Sequence, residues 1–217
     1  MSRDRPGGRF ITLEGGEGAG KSTQIARLAD GLRRAGVNVR TTREPGGAPA
    51  AETIRKLLVE GEPGRWRPMT EALLHFAARI EHVETMVRPA LAAGDWVISD
   101  RFADSTLAYQ GYGHRLGRDA IESLYRTTLG TFAPDLTLIL DMPVDAGLAR
   151  AGARNDIETR YERMGRDFHE RVRRGFLEIA RLEPGRCVVI DATGNVDEVT
   201  ARIFAAVADR LHIAVVP

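Results

Sequence analysis

An α/β fold, a parallel sheet covered by helices on both faces, is what this sequence predicts, and three observations predict it. Five short apolar runs, 10–13, 37–42, 96–99, 136–141 and 187–191, read as buried strands. Helical stretches lie between them, notably 69–93 and 167–182, with 196–211 after the last run. A glycine-rich turn joins the first run to the first helical stretch. Strands alternating with helices imply right-handed crossovers and a five-stranded parallel sheet.

Taken in order, Phe10-Ile11-Thr12-Leu13 is short and β-prone, and Ile25, Leu28, Ala29 and Leu32 recur at helical spacing. The turn between them, Gly15-Gly16-Glu17-Gly18-Ala19-Gly20-Lys21-Ser22, fits the phosphate-binding pattern G-x-x-x-x-G-K-S/T. Glycines let the backbone turn its N–H groups inward, and the helix aims its positive end at the anion. Lys21 would reach the outer phosphates and the Ser22 hydroxyl would hold Mg²⁺. Thr23 completes the candidate nucleotide-binding set. Composition supports the reading: Lys21 and Lys56 are the only lysines among 31 basic residues. A chain that writes nearly every cation as Arg keeps the compact Lys charge here.

The later strands end in charged residues. In an open α/β sheet the ligand crevice lies outside the carboxyl ends of the strands. Glu14, Arg43, Asp100, Asp141 and Asp191 are therefore expected to border one cleft.

The 217 residues suit a single α/β domain, 1–217, with a moving insertion at about 150–160. The apolar and charged fractions, 43% and 28%, are those of a globular domain. A net charge of +1 excludes a dedicated nucleic-acid binder. Cys187 is the single cysteine, so there is no internal disulfide, and its apolar run marks it as a buried strand residue. No apolar run approaches the roughly 18 residues of a membrane span. The start, 1–8, is polar, and a cytoplasmic location is expected.

Three clusters bear on a second substrate. Thr42-Arg43-Glu44-Pro45-Gly46-Gly47 follows the second strand, His75-Phe76-Ala77-Ala78-Arg79 lies in the long helix, and Asp100-Arg101-Phe102 with Ser105-Thr106 and Ala108-Tyr109-Gln110-Gly111 follows the third strand. Phe76 and Arg79 are three apart and share a helix face. Ring and guanidinium suit a planar polar heterocycle, or else a core aromatic beside a solvated cation. Arg101 suits clamping of an acceptor phosphate, or a structural ion pair, and Arg43 has the same two readings. The histidines other than His114 show no metal-ligand spacing and read as surface or satisfied core residues.

With the phosphate loop, in this order and spacing, the clusters resemble the thymidylate kinases (dTMP kinases), over essentially the whole chain. The resemblance implies a P-loop NTPase of the nucleoside monophosphate kinase type, with a lid, that phosphorylates dTMP from ATP with Mg²⁺. It implies that Phe76 stacks on thymine, Arg79 donates to the base carbonyl, and Arg43 and Arg101 hold the monophosphate. Glu17 would lie near the 3′-hydroxyl, and Ser105, Tyr109 and Gln110 would line sugar and base, the tyrosine ring crowding a 2′-hydroxyl. Asp100 would help organise Mg²⁺, and the loop after the last strand, which begins Asp191-Ala192-Thr193-Gly194, would touch adenine.

Between Arg150 and Arg174 stand eight arginines against five acids. By resemblance Arg150, Arg154 and Arg160 belong to a lid over the ATP phosphates. The phosphate loop itself carries no arginine, so the resemblance is to the bacterial form with a basic lid. Arg163, Arg166, Arg171, Arg173 and Arg174 read as a solvated helix face paired with Glu162, Asp167 and Glu170. Apolar residues on more than one face of 69–93, including Leu73, Leu74, Ile80 and Val87, suggest a helix-mediated homodimer, as the family does.

Overall fold

All five apolar runs pair into one parallel sheet of order β2-β3-β1-β4-β5 in the computed structural model, which describes residues 7–153 and 160–215. The strands are β1 (Phe10–Gly15), β2 (Val39–Arg43), β3 (Trp96–Asp100), β4 (Leu136–Asp141) and β5 (Cys187–Asp191). Every residue of central β1 is buried, whereas edge strand β2 is only partly covered. Because side chains alternate, Leu138 and Leu140 of β4 face one helical layer and Ile139 the other.

One layer contains α1 (Lys21–Arg34) and α9 (Val196–Leu211), which bury Leu28, Leu32, Ile203 and Val207 against Ile11 and Leu13. Asn195 and Glu198 close α9 with a reciprocal capping box. The other layer contains α3 (Pro68–His82) and α8 (Arg166–Leu182), where Phe76, Phe168 and Phe176 join Ile139 and Cys187 in the core. Cys187 is buried as expected, and burial pushes its thiol up to about 12.

The stretch read as one helix, 69–93, has three parts. After α3 the hydrogen bonding widens into a π-helical turn, Val83–Val87, and resumes as α4 (Arg88–Ala92). A second π-helical turn, Leu107–Gly113, extends the short α5 (Ala103–Thr106). Such turns gather at functional sites because they re-aim side chains relative to a regular helix. Helices α2 (Pro49–Val59) and α6 (Arg118–Leu129) occupy spans for which no helix was expected, and α7 (Val144–Gly152) follows β4. Pro49 marks the α2 start: at the first helical position it removes an amide that would have no partner anyway. Among the described residues, no helix is long and apolar enough to cross a membrane.

β1 lies between β3 and β4, so the β1-to-β2 connection runs to one side of it while the β3-to-β4 connection crosses to the other. That switch point is where a crevice opens above the strand ends, and the phosphate-loop motif sits there.

Candidate active site

Gly15, Gly18 and Gly20 take φ of 131°, 70° and 88°, which turns the loop back over the start of α1. A Cβ on Gly18 would fall 2.0 Å from the Gly147 carbonyl oxygen, so α7 packs against the loop only because neither residue has a side chain. Lys21 is buried and donates from Nζ to the carbonyls of Gly15 (3.3 Å) and Gly16 (3.0 Å). Burial and then Arg101 lower its ammonium pKa, against the pull of Asp100, Glu17 and Glu14. Ser22 Oγ donates to Asp100 Oδ2 at 3.2 Å across the top of the sheet. A hydroxyl and a carboxylate are the hard oxygen donors Mg²⁺ takes, and Mg²⁺ needs few protein ligands when phosphates and water complete its shell. Among the described residues no cluster of three or more His, Cys, Asp or Glu could hold a metal alone, so this pair fits a metal brought with a polyphosphate.

Beside the loop opens a cavity of about 390 Å³, floored by Glu17–Ser22 and walled by the segments after β2 and β3 and by α3. Arg101 lies on it in a left-handed conformation, φ 69°. Its guanidinium donates to Gly15 O (3.0 Å), Ser105 Oγ (3.1 Å), Glu17 Oε1 (2.9 Å) and Tyr109 OH (3.0 Å). Tyr109 OH donates to the same Glu17 oxygen at 2.7 Å. Burial opposes the Glu17 charge, yet Arg101, Lys21 and the Tyr109 hydroxyl hold its carboxyl at about 2. An acid tolerated inside an anion-binding loop is thus explained by its cationic neighbours.

The expectation that all five strand-end residues share this cleft needs correction. Arg43 and Asp100 border it. Glu14 is buried beside α5, where it accepts from the Phe102 amide (2.7 Å) and Ser105 Oγ (2.5 Å). Burial and Asp104 push its carboxyl up to about 8. Asp141 holds Arg173 through two hydrogen bonds (2.7 and 2.9 Å), and Asp191 accepts from Thr193 in its own loop. Side-chain direction at a strand end alternates with residue parity and is then set by local partners.

Arg79 of α3 and Gln110 of the second π-helical turn both line the far wall. Arg79 is buried, with its guanidinium between the rings of Phe76 (4.9 Å) and Phe102 (5.2 Å). It donates to Glu44 Oε2 (2.7 Å), Phe102 O (3.2 Å) and Thr106 Oγ1 (3.0 Å), and its Nη1 has no partner. Glu44 also accepts from His82 Nδ1 (2.8 Å), whose Nε2 lies 2.7 Å from Thr42 Oγ1. Gln110, on the same wall, donates from Nε2 to Glu71 Oε1 at 2.7 Å and leaves Oε1 unpartnered. The expected stacking surface is different. Phe76 is 1% exposed, lies in the core behind Arg79 and is not part of the cavity wall. The aromatic walls are Phe102, Tyr109 and Tyr161.

The three lid arginines separate. Arg150 is exposed at the end of α7 and reaches toward Ala192 O (3.5 Å) after β5. Arg154 lies outside the described residues. Arg160 is 1% exposed, ion-paired with Glu71 and bonded to Leu58 O (2.8 Å) and Glu62 O (3.3 Å), which corrects its reading as a phosphate-facing lid residue. The arginines of α8 and the turn before it are also corrected in their partners: Arg173 pairs with Asp141, Arg166 with Asp145 as well as Glu170, and Arg163, before the helix, reaches Glu62.

Sequence reasoning missed Arg55, Glu71, His75 and Thr106 as members or neighbours of this wall. His75 borders the cavity and burial pushes it down to about 4, so it is neutral near pH 7. The signal available for Thr106 was its place in the Ser105-Thr106 pair; for Arg55 it was the amphipathic stretch opened by Pro49, which is α2.

The family model described as thymidylate kinase matches residues 13–203. A thymidylate kinase of Caulobacter vibrioides is 57% identical over 206 residues, covering 95% of this chain and 99% of that protein. One from Bradyrhizobium diazoefficiens is 48% identical over 213 residues, covering 97% and 93% respectively. Among solved structures, the thymidylate kinase of Ehrlichia chaffeensis superposes with a TM-score of 0.74 at 35% identity, covering 93% of this chain and 99% of that one.

Proposed function

The chain belongs to the thymidylate kinase family, and on that premise we propose that it transfers the γ-phosphoryl group of ATP in line to the 5′-phosphate of dTMP, giving dTDP. One observation carries the acceptor assignment. Two residues that line the cavity beside the phosphate loop each carry a buried atom without a partner, the donor Nη1 of Arg79 and the acceptor Oε1 of Gln110. A thymine edge offers the complement, a C4 carbonyl to accept and an N3–H to donate. Buried polar atoms left unpaired are costly, so a ligand that pairs both is strongly favoured over one that pairs neither.

The acceptor phosphate then lies toward Arg101, with Arg43 and Arg55 on the open side. Its second pKa is about 6, so it is largely ionised and needs no general base. Catalysis is positioning and cancellation of charge. Lys21 exchanges its loop-carbonyl contacts for phosphate oxygens. Ser22 and Asp100 would hold Mg²⁺, which supplies charge neutralisation on the polyphosphate when bound. Glu17, ionised by its neighbours, accepts from the 3′-hydroxyl, and the Tyr109 ring fills the space a 2′-hydroxyl would need. Arg150 and Arg154 supply positive charge to the transferring group, and one well-placed arginine is worth roughly 10³–10⁵ in rate. Phe76 acts here through Arg79, whose guanidinium it backs. Met69, Leu73 and Ile80, exposed on α3, support a homodimer through that helix.

Steady-state turnover across nucleoside monophosphates tests the proposal. dTMP should exceed AMP, GMP and dCMP by orders of magnitude in kcat/KM; a purine preference would refute it.

A further inference from the structure

Glu71 does not itself line the cavity, yet it is 1% exposed at the centre of a polar cluster that backs two of the lining residues, Gln110 and Tyr161. It pairs with Arg160 and accepts from Tyr161 OH (3.1 Å) and Gln110 Nε2 (2.7 Å), with His114 Nε2 at 3.4 Å. Tyr161 OH, donating to Glu71, is left to accept from His75 Nε2 at 3.0 Å. Burial opposes the charge, but His114 close by and the Arg160 guanidinium hold the carboxyl at about 2, so Glu71 is a carboxylate near neutrality.

A carboxylate only accepts. The two ends of a glutamine amide have nearly the same shape, and their orientation is decided by hydrogen-bond partners. With Glu71 facing it, Gln110 must turn its NH₂ toward the carboxylate, which leaves the carbonyl Oε1 without a partner. Thr106, one helical turn before Gln110, binds the guanidinium whose Nη1 is the free donor, so the two orphan atoms belong to neighbouring parts of one wall.

Resting on the thymine reading above, we propose that Glu71 is a specificity-determining positioning residue: it locks the Gln110 amide so that the acceptor site takes 4-oxo pyrimidines, with an N3–H, and rejects 4-amino pyrimidines. Cytosine presents an amino donor to Arg79 and an N3 acceptor to Gln110 Oε1, so both contacts become mismatched. If Gln110 were free to turn over, the second mismatch would vanish.

The test compares kcat/KM for dTMP, dUMP and dCMP in the full chain with Mg·ATP. Glu71→Gln is isosteric and can donate as well as accept, which frees the Gln110 amide. It should lower the dTMP/dCMP ratio at least roughly tenfold, the size of one mismatched buried hydrogen bond. The dTMP/dUMP ratio should stay unchanged, because the 5-methyl group is read elsewhere. Glu71→Asp, still only an acceptor, should keep the wild-type dTMP/dCMP ratio. Should E71Q prove insoluble, E71Q with Arg160→Gln removes the guanidinium left without its counter-charge and is read the same way. A folded E71Q enzyme with the wild-type dTMP/dCMP ratio overturns the proposal, as does one losing both ratios together, the mark of a merely loosened cavity. Gln110→Ala separates the two levels. If it collapses the dTMP/dCMP ratio while E71Q does not, only the role of Glu71 fails; if it leaves the ratio intact, the base-reading assignment falls and this inference with it.

Discussion

Replacing Arg79 by Met removes the guanidinium but keeps an unbranched apolar side chain between the Phe76 and Phe102 rings. Two separable losses follow. The first is in stability: Arg79 and Glu44 are 2% and 3% exposed and 2.7 Å apart, and breaking a buried pair by deleting one partner costs about 3–5 kcal/mol. His82 Nδ1 remains bonded to Glu44 at 2.8 Å, which places the loss toward the lower end of that range. The second is in acceptor recognition: an unmade buried hydrogen bond costs about 1–3 kcal/mol, or roughly 5- to 150-fold in kcat/KM for dTMP. It should appear as a raised dTMP KM, with the KM for ATP unchanged. Urea denaturation measures the first loss and steady-state kinetics the second. Adding Glu44→Gln to the variant should recover part of the stability and none of the dTMP affinity. An Arg79→Met enzyme with wild-type dTMP KM would refute the base-reading role, and one with wild-type stability would refute the buried-pair argument.

Lys21→Ala should lower kcat severely while dTMP affinity, measured by calorimetry, falls only modestly; an equal fall in both would place the lysine on the wrong substrate. Asp100→Asn, which leaves Ser22 facing an amide instead of a carboxylate at 3.2 Å, should raise the Mg²⁺ concentration needed for half-maximal rate at fixed ATP. Acid should destabilise the fold through Glu17 and Glu71. Both carboxyls lie at about 2 against an ordinary 4.5, so their stabilisation is complete above 4.5 and is lost as pH falls toward 2. His75, moved from 6.5 to about 4, adds a loss between those values, because the unfolded chain takes up the proton first. Glu14 acts in the opposite direction: raised to about 8, it makes stability decline as pH rises from 4.5 through 8. Thermal midpoints of the wild type and Glu17→Gln across pH 3–9 check these signs, and the variant should show the weaker acid dependence.

Local chemistry made the sheet, the phosphate loop and the family legible in the sequence. Buried parallel strands must be short and apolar, and 136–141 and 187–191 coincide with β4 and β5. Asn195 and Glu198 form a capping box that fixes where a helix starts, and α9 occupies 196–211 as expected. Gly15–Ser22 has a pattern that backbone geometry alone demands.

Tertiary structure decided which charges face the cavity. Arg79 and Arg160 both looked like site arginines, but Arg79 lines the cavity and has an unpartnered Nη1, while Arg160 is sealed against Glu71. Phe76 looked like a base platform and lies behind the wall instead. Helices α2 and α6 are amphipathic, yet what they pack against, α3 and, for α6, also the second π-helical turn, is set only by the fold. The physical reason is range. Strand, turn and cap preferences act within a few residues, whereas the partners of Arg79 lie 23 to 35 positions away in the chain and those of Arg160 89 to 102. The folded chain alone determines which groups satisfy each other and which are left for a ligand.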